Sequence, residues 1–142
     1  MRDRRKRGND EEMETNAPFH AHIYYTLLTR EAARELHTRL RDTVKAEGGT
    51  GLLHVGEMCD AAVGPHPQPQ WEIHFYEAYL PQLMPLLESC GFTVLVHPVT
   101  LDDLADHTSL ARWIGKPIPL DVTVLDPPGI NKGLERFGKA DF

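Results

Sequence analysis

Phe19-His20-Ala21-His22-Ile23-Tyr24-Tyr25 divides into two chemically different sets at a spacing of two residues, and this division decides the fold. Side chains alternate across a β-strand, so Ala21, Ile23 and Tyr25 share one face while His20, His22 and Tyr24 share the other. The apolar set is suited to a layer of helices, which leaves the histidines on the opposite side of the sheet. Aromatic and β-branched residues carry this first strand on to Leu28. It ends at Thr29, a helix N-cap candidate followed by Glu31 in the first turn.

Outward from this strand, Ala33, Leu36, Leu40 and Val44 recur at helical spacing from Arg30 to about Ala46, with Gly48 and Gly49 as the stop. Leu52 to Val63 reads as a second strand. The stretch Gly64-Pro65-His66-Pro67-Gln68-Pro69 is a stiff turn, because its prolines fix φ and remove backbone donors. A third strand runs from Gln70 to about Tyr79. A helix then opens near Pro81 with Leu83, Leu86 and Leu87 on its apolar face, is tempered by Pro85, and closes at Gly91 before a fourth strand from Phe92 to Val99.

Strand, helix, strand, strand, helix, strand is the order of the ferredoxin-like split βαβ pattern, an α+β fold with both helices on one face of a four-stranded antiparallel sheet. The other face needs a cover. Residues 100–142, rich in proline and expected to form loops with one short helix from Leu101 to about Ile114, can supply it, as can a second subunit. The exposed sheet face therefore predicts a homodimer of the dimeric α+β barrel type.

The same alternation sends Trp71, Ile73, Phe75, Val94 and Val96 inward, and Glu72, His74, Tyr76 and His97 outward. In this strand order the first strand is central, with the start of that strand beside the ends of the third and fourth. His20, His22, His74 and His97 then converge at one end of one face. A His-x-His pair on a strand puts two imidazoles within reach of one ion, and imidazole suits Fe, Zn, Cu or Ni, so the cluster is read as a metal site. Glu72 either completes a two-histidine, one-carboxylate set or is a solvated or arginine-paired carboxylate, and its position on the strand places it farther from the cluster than His74. His66, in the proline-flanked turn, is either aimed at a ligand or exposed. His107, following Asp102, Asp103 and Asp106, is an acid/base group or a cap-region residue. His37 and His54 read as structural or solvent-facing, and Cys59 and Cys90 as small buried residues.

The whole chain sets outer bounds. Its 142 residues suffice for one domain without disulfides, expected over residues 18–142 after a disordered charged tail at 1–17. The basic run Arg2 to Arg7 is followed at once by Asp10, Glu11, Glu12 and Glu14 and has no interleaved aromatic residues, so it reads as a solvated segment. A net charge of -6 argues against a general nucleic-acid binder. No apolar run reaches the roughly 20 residues of a membrane span, no secretory pattern opens the chain, and two cysteines make no disulfide framework. A cytoplasmic protein acting on a small molecule is the expectation.

Several ordered strings resemble the DOPA 4,5-dioxygenase family: Phe19 to Tyr25; Gly64-Pro65-His66-Pro67 with Trp71-Glu72-Ile73; Val96-His97-Pro98; Asp102-Asp103-Leu104-Ala105-Asp106-His107; and, closing the match, Trp113-Ile114-Gly115 with Pro117 to Asp121. The resemblance implies extradiol cleavage, in which O2 opens a catechol next to its two hydroxyls and the DOPA product cyclises towards betalamic-acid or muscaflavin-type pigments. It also implies Fe(II) as cofactor, with zinc or another divalent ion able to take its place. His20, His22 and His97 would bind the metal, with His74 as the alternative third ligand. His66 and His107 would supply acid/base or substrate contacts, and Tyr24 and Glu72 would touch the substrate. Leu101 stands where the family pattern has a glycine, which implies a different turn after the fourth strand. A metal- or ligand-binding protein without ring cleavage, and a non-catalytic interaction module, are the competing classes. The natural catechol is left open by family membership.

Overall fold

Antiparallel pairing places the strand that carries the alternating segment in the middle of the sheet. The structure is a computed structural model that describes residues 17–47 and 51–139. Along the chain lie β1 (Pro18–Tyr24), α1 (Arg30–Glu47), β2 (Leu52–Val55), β3 (Gln70–Tyr76), α2 (Leu80–Ser89), β4 (Thr93–Pro98), α3 (Asp103–His107), β5 (Arg112–Ile114) and α4 (Lys132–Arg136). The sheet order is β2-β3-β1-β4-β5, all antiparallel. This is an α+β fold in which β1 lies between β3 and β4, as expected from the order of elements along the chain.

One face holds the core. Phe19, Ala21 and Ile23 of β1, Trp71, Ile73 and Phe75 of β3, and Val94 and Val96 of β4 pack against Ala33, Leu36 and Leu40 of α1 and Leu80, Leu83 and Leu87 of α2. Period-two and helical patterns meet there, and burial of these side chains is the main stabilising term. Pro85 lies on the exposed side of α2, where its missing donor leaves the buried leucine stripe undisturbed.

Five details depart from expectation. The sheet has five strands rather than four, because the helix expected from Leu101 to about Ile114 stops early. Asp102 caps α3 by accepting from the Ala105 N–H at 3.0 Å, Thr108 leaves helical geometry, and Arg112 to Ile114 instead pair with the open edge of β4. β2 ends at Val55 rather than Val63. Beyond it the chain follows β3 through single contacts, Gly56 N to Glu72 O at 2.8 Å and the Cys59–Gln70 bridge. β1 ends at Tyr24, and Thr26, not Thr29, caps the 3-10 turn at Leu27–Thr29. β3 gives way at Glu77 to a second 3-10 turn that leads into α2. Cys59 and Cys90 are half-buried free thiols at an edge segment and a helix end rather than fully buried residues, and Cys90 packs against the core.

The expected tail up to residue 16 and the Gly48-Gly49 stop lie outside the described residues. Ala17, assigned to that tail, packs on the core and accepts a hydrogen bond from Glu77 N at 2.9 Å. No helix of the described residues is long and apolar enough to cross a membrane.

The histidine face is covered by the chain's own C-terminal segment. Phe137 stacks nearly parallel on His74 and His20, with centroids 5.4 and 6.1 Å away. Asp106, fully buried, accepts from Thr100 N at 2.8 Å and Thr100 Oγ1 at 2.7 Å, while Asn131 Nδ2 donates to Thr100 O at 2.6 Å. These bonds tie the covering segment to the end of β4.

Truncating Leu87 to alanine should lower stability by about 2–5 kcal/mol in urea unfolding, and Leu28→Ala, on the exposed turn, by less than about 0.5 kcal/mol. Equal losses would show that the helical face is not the principal core.

Candidate metal centre

Strand register brings the imidazoles together. His20 of β1 pairs with His74 of β3 on one side and His97 of β4 on the other, and His22 lies opposite Glu72 and Leu95. His20, His22, His74 and His97 are all at most 2% exposed, so the ring nitrogens must find partners without bulk water.

Those partners fix where the protons sit. His97 Nδ1 lies 2.6 Å from the Pro98 carbonyl, which can only accept, so Nδ1 carries the hydrogen and Nε2 a lone pair. His22 Nδ1 meets Oε1 of Gln70 at 2.9 Å and is fixed the same way. The two Nε2 atoms then face one another at 3.1 Å. Two lone pairs at that distance repel unless a cation lies between them, and outer acceptors on Nδ1 are the usual device for orienting metal-binding imidazoles. His20 completes the triad, its ring centroid 5.8 Å from that of His22 and 5.3 Å from that of His97, with one donor atom per residue all within 4.8 Å of one another. Burial, reinforced by the neighbouring imidazoles, holds His20, His22 and His97 well below the usual histidine range, which keeps the lone pairs available. The donor set fits a divalent transition metal.

A second group shares His20 and adds Glu72 and His74. Here His74 Nδ1 accepts from Gly138 N at 2.8 Å, so Nε2 carries the proton and donates to Glu72 Oε2 at 2.7 Å. Both nitrogens of His74 are committed, which favours the His20, His22, His97 set for the metal. Glu72, expected farther off than His74, is bonded directly to it.

A cavity of about 530 Å³ opens beside the triad. His22, His66, His107, Gln70 and Glu72 are part of its polar wall, which also holds charged groups such as Lys132 and Arg136, and Val63, Pro65, Val124 and Leu125 are part of its apolar one. The rigid turn aims His66 inward: Val63 and His66 exchange backbone hydrogen bonds, and Pro65 O accepts from Asp121 N at 2.9 Å. Burial, with His107 and His97 nearby, lowers the pKa of His66 to about 3. Its ring lies 4.1 Å from that of His22, and the His107 ring lies 4.3 Å from that of His97. Tyr24 is not in the cavity wall; its phenol sits behind His66 and its ring stacks on Trp113. His37 holds Gly56 O at 2.7 Å from α1, and the His54 ring lies 4.8 Å from that of His74.

Sequence reasoning missed Gln70, Phe137 and Gly138. Gln70 has the same strand parity as Glu72 and His74, so alternation could have found it. Phe137 and Gly138 reach the site from a loop-rich segment whose sequence carries no periodicity.

The buried histidine triad beside this cavity would suit a metal ion, and the comparisons give the class of protein. The chain belongs to the Dopa 4,5-dioxygenase family, whose profile matches residues 19–124. It is 30% identical over 112 residues to a DOPA 4,5-dioxygenase of Amanita muscaria, covering 75% of this chain and 49% of that protein. An uncharacterized 21.2 kDa protein of Botryotinia fuckeliana is 30% identical over 122 residues, 75% of this chain and 62% of that protein. This chain thus spans less than two thirds of the length of either curated relative. A crystal structure of a candidate dioxygenase from Nostoc punctiforme PCC 73102 superposes with a TM-score of 0.65 at 27% identity, covering 79% of this chain and 93% of that one. The matched family region ends before Asn131, Phe137 and Gly138.

Because Gln70 orients His22, Gln70→Leu should weaken divalent-metal binding about 10–100-fold in a competitive chelator titration. An unchanged affinity would remove Gln70 from the support of the site.

Proposed function

We propose that this protein is an extradiol ring-cleaving dioxygenase acting on DOPA or a related small catechol with O2, at a non-haem Fe(II) held by His20, His22 and His97. The observation that carries the reading is the pair of Nε2 atoms of His22 and His97 3.1 Å apart, with His22 in the wall of a cavity that two further histidines line. Family membership supplies the reaction class. The proposal includes a ferredoxin-like homodimer working in the cytoplasm.

Bound there, iron would supply Lewis acidity and open positions for the catechol oxygens and O2. The chain does the rest. In the overall reaction one ring C–C bond beside the two hydroxyls breaks and both atoms of O2 enter the product, so no external reductant is required. A hydroxyl proton must leave the catechol; His107 is the cavity imidazole placed to receive it, and His66 lies beside it as a hydrogen-bond partner for the substrate oxygen. Val63, Pro65, Val124 and Leu125 offer an apolar wall for the ring, which limits its rotation and so helps align the reacting atoms. His74 holds Glu72 through a 2.7 Å hydrogen bond, which leaves that carboxylate oriented at the cavity wall rather than free to turn.

Anaerobic reconstitution with Fe(II), then addition of L-DOPA and air, should produce the visible absorbance of a yellow ring-opened product only when iron and O2 are both present. His22→Ala should lose that product and keep the circular dichroism of the folded chain. No product from DOPA or from a panel of simple catechols, despite bound iron, would favour a binding protein without ring cleavage. The homodimer is checked by light scattering: a mass equal to one chain at micromolar concentration counts against it.

A further inference from the structure

His66 and His107 both line the cavity, and the protein holds them from behind in opposite ways. His66 Nδ1 lies 2.7 Å from the hydroxyl of Tyr24. That hydroxyl is buried, and among the described residues this is its one hydrogen-bond partner. A buried O–H with one available acceptor donates to it. Nδ1 of His66 is thus the acceptor, and the proton of the imidazole itself sits on Nε2. At His107 the situation reverses. Its Nδ1 lies 2.8 Å from the backbone carbonyl of Asp103, with the Asp103 carboxylate 3.4 Å away, so Nδ1 carries the hydrogen and Nε2 the lone pair. Neither Nε2 has a partner among the described residues.

We propose that Tyr24 is a positioning residue that fixes His66 as the hydrogen-bond donor of the cavity, opposite His107 as its acceptor, so that the pair selects a ligand with an accepting oxygen next to a donating hydroxyl. The two rings stand 6.4 Å apart between centroids and are inclined by 57°, so they address the cavity from different directions. A catechol losing one proton has this arrangement: its ionised oxygen accepts from His66 Nε2–H and its remaining hydroxyl donates to His107 Nε2. Tyr24 acts from outside the cavity, held by stacking on Trp113 of β5 with centroids 5.9 Å apart and planes inclined by 26°. The selection of catechols rests on the ring-cleavage reading. The proton positions on the two histidines do not.

Long-range 1H–15N NMR of the full-length, metal-free chain reads which nitrogen of each imidazole carries hydrogen. The expected result is Nε2–H at His66 and Nδ1–H at His107. Tyr24→Phe keeps the ring against Trp113 and loses the hydroxyl, so it should release His66 to populate both forms while His107 stays as it was. Nδ1–H at His66 in the wild type, or an unaltered His66 in the variant, overturns the proposal. Should the variant fail to fold, the wild-type spectrum decides alone. In the iron-loaded enzyme Tyr24→Phe should lower kcat/KM for the catechol about 10–100-fold with iron content little changed; an unchanged kcat/KM would overturn the catalytic half. Because the spectrum needs no turnover, loss of the ring-cleavage reading would leave the assignment of the protons standing.

Discussion

Imidazole carries one nitrogen that donates and one that accepts, and burying it commits both. This chain buries His20, His22, His66, His74 and His97 on one side of a sheet, where an unmet ring nitrogen costs on the order of 1–3 kcal/mol. Much of the architecture around the site answers that demand. The Pro98 carbonyl at the end of β4 meets His97, Gln70 at the start of β3 meets His22, the Tyr24 hydroxyl meets His66 and the Gly138 N–H meets His74, while the first turn of α3 holds the neighbouring His107. The partner chosen decides what the ring can then do. An acceptor behind Nδ1 turns a lone pair towards the metal position or the cavity, and a donor behind Nδ1 turns out an N–H.

The two faces of the sheet are stabilised by different physics. Towards α1 and α2 the contact is apolar packing, tolerant in chemistry and demanding in volume. Towards the C-terminal segment it is a polar network built on a buried carboxylate. Asp106 is raised in pKa by burial but accepts from Thr100 and Asn131, which offsets part of that cost. A network of this kind specifies one arrangement, because a shift of the segment would leave several buried groups unmet at once.

The parts of the fold that rest on local periodicity were legible in the residues. Ala21 against His22 set the two faces, Ala33, Leu36 and Leu40 set the first helix, and the central position of β1 followed from the order of elements. The convergence of His20, His22, His74 and His97 followed from register. What escaped depends on contacts between residues far apart in the chain. Trp113 lies in a strand because β4 has an open edge, not because Arg112 to Ile114 carry a strong pattern of their own. Phe137 reaches His20 and His74 because Asn131 and Asp106 steer the segment there. The division of the histidines between the triad and the Glu72 group turns on a single backbone N–H, that of Gly138, which no side-chain pattern encodes.

The stacking of Phe137 on His20 also orders events in time. The two residues are separated by most of the chain, and closing so long a loop carries an entropic cost that contacts near in sequence do not. The pairings of β1 with β3 and β4 and the helical layer involve shorter separations than this and are favoured to form first, leaving the histidine face wet until the last segment arrives. During that interval the imidazoles can still exchange protons with water and capture an ion from solution. Afterwards an aromatic ring covers His20 and His74, and an ion held by the triad would exchange through the cavity on the His22 side rather than from the face that closed last.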